Sequence, residues 1–121
     1  MYSLQPRLTL RFAPSAMIIG GDNGSLLERG SRCRLKITES FLRRELPGAR
    51  GDLRKLEAMA EAALALTDPE FPVCRHPTSG NGVCSLGSCV LVSGEAPYMR
   101  TCQGPADGYD GRSFERFSFE P

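Results

Sequence analysis

The sequence contains no tryptophan, a single histidine and only two lysines among its 121 residues. Because His76 is the one imidazole, any histidine-dependent chemistry must involve that position. The apolar stretches over residues 17–19 and 58–66 are too short or too amphipathic for a membrane span, which needs about 20 apolar residues. We therefore expect no membrane association.

We also expect no secretory signal, since residues 1–7 lack a basic segment followed by a continuous apolar stretch. This start predicts a cytoplasmic protein. The apolar fraction is 40% and the charged fraction 24%, as in an ordinary globular protein. With neither a repeat nor a long linker, residues 1–121 are predicted to form a single domain.

The first third of the sequence shows the two-residue alternation typical of strands. Apolar and basic residues alternate over 7–12 and again over 32–37, which predicts two strands that each bury one face. Residues 16–19 could form another short strand. The Gly- and Asn-rich segment 20–24 predicts a turn, and a hairpin would then return through Leu26 and Leu27.

Two helices are predicted in the middle of the chain. Thr38 is a suitable N-cap for a helix over 39–46, which Pro47 would end. Asp52 is a suitable cap for a second helix over 53–66. Its apolar residues recur at spacings of three and four: Leu53, Leu56, Met59, Ala60, Ala63 and Leu64.

The remaining segment, residues 69–121, is rich in Cys, Pro and Gly. We expect a hairpin over 83–92 and a closing strand over 117–119. The predicted fold class is therefore α+β, with a largely antiparallel sheet and the helices 39–46 and 53–66 packed on one of its faces.

Charge is distributed unevenly although the net charge is +1. Residues 29–55 carry a net charge of +6, and the chain from residue 57 onward carries −5. If the predicted strands share a sheet, its open face is basic: Arg7, Arg11, Arg32, Arg34 and Lys36. This face would suit an acidic protein partner or the phosphates of a nucleic acid, or it could simply be solvated. No aromatic residues for base stacking accompany it.

The cysteines other than Cys33 lie close to the histidine in sequence. A predicted turn at residues 86–87 would place Cys84 opposite Cys89, at a distance suited to a disulfide or to one metal ion. This spacing is consistent with a zinc site formed by Cys74, His76, Cys84 and Cys89. Cys102 is a substitute ligand for that site. Buried thiols and a disulfide are the alternatives.

An enzyme with a thiol nucleophile would pair His76 with Cys74, Cys84 or Cys89. No carboxylate that could orient the imidazole stands out in the sequence. Residues 107–111 lack the alternating oxygen ligands of a calcium loop, and residues 20–24 lack the Lys-Ser/Thr of a P-loop. Catalysis is therefore the least favoured function.

These patterns favour a non-catalytic accessory or regulatory protein that binds a protein with an acidic surface, with a structural zinc site as a further feature. The alternative is a small nucleic-acid-binding module that uses the basic face. A cysteine-dependent enzyme is the second alternative. Self-association of the chain is compatible with each of these functions.

Overall fold

The computed structural model describes residues 22–77 and 84–119. Two helices precede a three-stranded antiparallel sheet with the order β1-β2-β3. The elements are α1 (Asp22–Ala49), α2 (Leu53–Leu64), β1 (Gly87–Val92), β2 (Tyr98–Gln103) and β3 (Glu115–Ser118). The predicted α+β class, with two helices and an antiparallel sheet, is confirmed.

Helix α1 is much longer than predicted, and the strand expected over 32–37 is wrong. The hairpin return through Leu26 and Leu27 is wrong as well, because these residues belong to α1. Alternation over six residues is short, and it coexists here with helical spacing over the longer segment from Leu35 through Leu42 to Ala49. The strands predicted over 7–12 and 16–19 lie outside the described residues.

The start and end predicted for the first helix are also displaced. Thr38 is no N-cap: it lies buried in the middle of α1, and its hydroxyl donates to the Arg34 carbonyl at 2.8 Å. Such a bond satisfies a buried hydroxyl inside a helix. Pro47 lies within the last helical turn instead of ending the helix before it. The chain leaves α1 through Gly51, whose φ of 76° favours glycine.

Helix α2 follows the prediction closely. The Asp52 carboxylate accepts the amide hydrogen of Lys55 at 3.2 Å, as expected of an N-cap. Packing of α1 against α2 creates the hydrophobic core. Its buried members are Leu42, Ala49, Leu56, Met59 and Ala63, and Phe41 and Leu46 pack against them.

The hairpin predicted within 83–92 is wrong, because β1 pairs with β2 instead of folding back on itself. Gly87 starts β1, so no turn forms at 86–87, and Cys89 lies opposite Thr101 and not opposite Cys84. The closing strand expected over 117–119 is confirmed as β3, two residues earlier at its start.

Polar contacts connect the sheet to α2. The Tyr98 hydroxyl donates to the Glu57 carboxylate, and Arg100 donates to Glu61 while lying 3.4 Å from Glu57. The Arg116 guanidinium lies 3.8 Å from the centre of the Tyr98 ring. These contacts, together with the packing of α2 on β1, hold the sheet against the second helix.

The other face of the sheet carries a row of apolar side chains. Leu91, Met99 and Phe117 are in register across the three strands. Leu91 is 69% exposed and Phe117 48%. Within 22–77 and 84–119, neither helix has the combined length and apolar character needed to cross a bilayer.

Candidate functional site

The exposed face of α1 carries a line of cations, here called the basic stripe. Its members are Arg29, Arg32, Lys36, Arg43 and Arg50, all exposed. Four of them recur every seven residues, which is close to two helical turns and about 10 Å along the axis. Arg50 follows the end of α1 but continues its geometry, since its amide donates to the Leu46 carbonyl at 3.1 Å.

Few acids oppose this stripe in the described part of the chain. Arg32 forms an exposed ion pair with Glu28, one helical turn earlier. Arg29, Lys36 and Arg43 form no ion pair with any acid within the described ranges. Their charges therefore remain available to an external partner.

The structure separates the residues predicted to form a basic sheet face. Arg32 and Lys36 share the exposed face of α1, but Arg34 is half-buried on another side of the helix. Burial lowers the pKa of Arg34, and the nearby Arg75 lowers it further. Arg7 and Arg11 lie outside the described residues. The arrangement as a sheet face is wrong because residues 32–36 are helical.

A second candidate site combines a thiol, an imidazole and a carboxylate. Cys74, His76 and Asp107, here called the Cys-His-Asp cluster, each place a ligand atom within 4.8 Å of the other two. His76 Nε2 lies 2.6 Å from Asp107 Oδ2. Cys74 is 2% exposed, whereas the His76 and Asp107 side chains are 29% and 22% exposed. The cluster is therefore closed at the sulfur and open on the other side.

Backbone bonds fix the segment that carries Cys74 and His76. The Cys74 amide donates to the Leu66 carbonyl beyond α2 at 2.8 Å. Arg75 exchanges two bonds with Ser85: its amide donates to the Ser85 hydroxyl, and its carbonyl accepts the Ser85 amide, each at 2.9 Å. This segment is thus held between the end of α2 and the start of β1.

The loop between β2 and β3 brings Asp107 to the cluster. It begins at Gly104, whose φ is 78° and where a Cβ atom would come within 2.5 Å of the Asp110 carboxylate. The Gly104 amide donates to the Leu86 carbonyl at 2.8 Å. Only glycine fits this position without movement of its neighbours. The tight turn lets the chain return towards Cys74.

Tyr109 orients both polar partners in the cluster. Its amide donates to Asp107 Oδ1 at 3.1 Å, which leaves Oδ2 to face His76. Its ring stacks on the imidazole of His76, with centroids 4.0 Å apart and planes inclined by 16°. The carboxylate and the imidazole are therefore positioned before any ligand arrives.

The electrostatics of the cluster differ between the thiol and the carboxylate. Burial raises the pKa of Cys74, and the Asp107 carboxylate raises it further, although the amides of Asp107 and Ala106 point at the sulfur and oppose this shift. Burial acts to raise the pKa of Asp107 too, but hydrogen bonds from His76 and the Tyr109 amide bring it below its ordinary value. The pair thus favours a protonated thiol beside an ionised carboxylate.

The predicted zinc ligands are brought together only in part. Cys74 and His76 belong to the cluster, but Cys84 precedes β1 and Cys89 is exposed on it, and neither joins the group. Cys102 is buried at the end of β2, with its sulfur 3.8 Å from the Pro105 carbonyl. The five cysteines, all within the described residues, form no disulfide bond with one another. The four-residue zinc site itself stays a prediction.

Asp107 was missed as a site residue because the sequence around it is typical of a glycine-rich turn. It lies 31 residues from His76, and no local pattern connects the two positions. Comparison of the chain with protein-family models, with curated proteins and with solved structures gives no match.

Proposed function

We propose that the protein is a non-catalytic accessory or regulatory protein that binds an acidic protein through the basic stripe of α1. The observation that supports this function is the recurrence of exposed cations every seven residues, of which Arg29, Lys36 and Arg43 form no ion pair within the described residues. A seven-residue period is the period at which two packed helices bring charged side chains together repeatedly. The partner surface that fits best is therefore a helix with acidic residues at the same period.

The energetics of such a surface favour recognition over high affinity. An exposed ion pair contributes roughly 0.2–1 kcal/mol, so several pairs must form together. Complementary charge also accelerates encounter and excludes basic partners. Because charges are screened beyond about 8 Å at physiological ionic strength, binding should weaken steeply as salt is added.

The chemistry of Cys74 supports a non-catalytic function. A nucleophilic cysteine needs an accessible thiolate. Cys74 is almost completely buried, and burial raises its pKa. The thiol thus lacks the features that would support the enzyme alternative, even though His76 and Asp107 lie beside it.

Charge reversal within the stripe tests the proposal. We expect the double variant Lys36→Glu/Arg43→Glu to lose at least tenfold in affinity for a synthetic helical peptide with glutamate at every seventh position. The matched control is Arg54→Glu/Lys55→Glu, which changes the charge equally on the exposed start of α2. Acidic residues are tolerated in a first helical turn, so the control should remain folded.

The same proteins, titrated with duplex DNA and with RNA of equal charge, test the nucleic-acid alternative. A nucleic-acid partner would be indicated if a nucleic acid bound more tightly than the acidic peptide and the stripe variant lost this binding. The logarithm of its affinity should then fall linearly with the logarithm of the salt concentration. Equal peptide affinity in both double variants would remove the basic stripe from the function.

A further inference from the structure

We propose that Cys74, His76 and Asp107 together form a three-ligand zinc site whose fourth position is open to water or to a ligand from outside the chain. This inference does not depend on the basic stripe or on its partner. It differs from the predicted ligand set, since Asp107 replaces Cys84 and Cys89. The ligands come from two segments that the fold brings together: the one after α2 and the loop between β2 and β3.

The donor atoms select the metal. A thiolate, an imidazole and a carboxylate are the three side-chain types that bind zinc in proteins. The soft sulfur disfavours magnesium and calcium, which prefer oxygen ligands throughout. A cluster of carboxylates would be ambiguous in this respect, whereas the cysteine makes zinc the best match.

The distances fit after small movements. Zinc bonds of about 2.0–2.3 Å in a tetrahedral site separate the ligand atoms by about 3.3–3.7 Å. The three ligand atoms lie within 4.8 Å of one another, so each has to move only slightly. His76 Nε2 and Asp107 Oδ2, now 2.6 Å apart, would separate as the ion replaces the proton between them.

The surroundings provide the secondary contacts of a metal site. The amides of Ala106 and Asp107 point at the Cys74 sulfur, where they would stabilise a thiolate bound to the ion. The Tyr109 amide holds one carboxylate oxygen of Asp107, and the Tyr109 ring stacks on His76, so the carboxylate and the imidazole are held in position beside Cys74. Outer contacts of this kind usually contribute 10–100-fold to affinity.

The open position lies on the accessible side of the cluster. Cys74 is buried, while His76 and Asp107 remain partly exposed, so solvent reaches the ion next to these two ligands. Cys102, the other buried cysteine of this region, does not belong to the group. Three protein ligands with one exchangeable position is the arrangement of zinc sites that bind an external molecule.

Cobalt(II) titration of the full chain, stripped with a chelator, tests the site. We expect one cobalt ion per chain, a thiolate-to-cobalt charge-transfer band and the strong visible absorption of a tetrahedral site, with zinc displacing the cobalt. Cys74→Ser should abolish the charge-transfer band. Asp107→Asn should weaken binding by at least tenfold. Two matched controls should bind cobalt as the original chain does. They are Asp110→Asn, three residues from Asp107, and Cys89→Ser, on the exposed side of β1.

Two results would overturn the assignment. One is the absence of cobalt or zinc binding at micromolar concentrations. The other is unchanged affinity in Asp107→Asn together with loss in Cys84→Ser or Cys89→Ser, which would restore the ligand set predicted from the sequence. Circular dichroism of each metal-free variant identifies unfolding. If Cys74→Ser is unfolded, the comparison of Asp107→Asn with Asp110→Asn decides, because both retain the thiol.

Discussion

The two helices and the cysteine-bearing segment after them are stabilised in different ways. The helices share a small hydrophobic core in which Leu42, Leu56 and Met59 are buried. Beyond α2, the described residues bury few side chains, chiefly Tyr98, Cys74 and Cys102. Hydrogen bonds, ion pairs and glycine turns hold that segment in place. Apolar burial therefore stabilises the helices, and polar contacts stabilise the sheet and its loops.

The largest change in the free energy of unfolding should come from a substitution in the core shared by the two helices. Met59→Ala removes a buried side chain and should lower the free energy of unfolding by about 2–5 kcal/mol. Leu53→Ala, whose side chain is 39% exposed at the start of the same helix, should lower it less, by about 1 kcal/mol. Urea unfolding followed by circular dichroism measures both. Equal losses would mean that the helices do not share the core described above.

Zinc binding in the cysteine-bearing segment after α2 should change the free energy of unfolding by a similar amount. At a free concentration 100 times its dissociation constant, zinc should stabilise the folded chain by about 2.7 kcal/mol. The expected result is a higher melting temperature that a chelator reverses. The same zinc addition should raise the melting temperature of Asp107→Asn clearly less. It should raise that of Asp110→Asn as much as that of the original chain. Identical increases in the two variants would contradict the Cys-His-Asp cluster.

The contact between the two regions should have a smaller effect. Glu61→Gln weakens the bond to Arg100 that connects α2 to β2, and both side chains are partly exposed. We expect a loss of about 1 kcal/mol, since solvent screens such pairs. Amide hydrogen exchange in β2 should accelerate more than in α1. Glu39→Gln, an exposed position on α1, is the control, and a uniform change across the chain would argue against a local connection.

An effect of about the same size concerns the start of α2. Asp52→Ala removes the side chain that accepts the Lys55 amide and should cost about 1 kcal/mol. Asp52→Asn, which retains an acceptor, should cost less. Thermal unfolding of both variants provides the measurement. A melting temperature of Asp52→Ala equal to that of the original chain would show that the cap contributes no stability.

The sequence was informative wherever structure is determined locally. The Asp52 cap, the apolar face of α2 and the strand near Phe117 depend on residues that are neighbours in the chain. The strand predicted over 32–37 is wrong because six alternating residues also fit a helix. The helical spacing becomes evident only when Leu42 and Ala49 are considered. Local structure can be predicted, but a short window is ambiguous between two periods.

Asp107 marks the limit of such predictions. Cys74 and His76 were expected to share a site because one residue separates them. The third member depends on the register of β1 with β2 and on the turn at Gly104. Both are consequences of tertiary structure, so a pattern within the sequence could not identify the carboxylate.

The distance along the chain between His76 and Asp107 also affects the order of folding. The two helices lie before residue 65, so they can pack while the ribosome still holds the segment that follows. The cluster closes only after β1 and β2 have paired and the chain has extended past Tyr109. Contacts between residues so far apart in sequence form late. Assembly of the Cys-His-Asp cluster therefore follows the pairing of β1 with β2 and can precede the addition of β3 to the sheet.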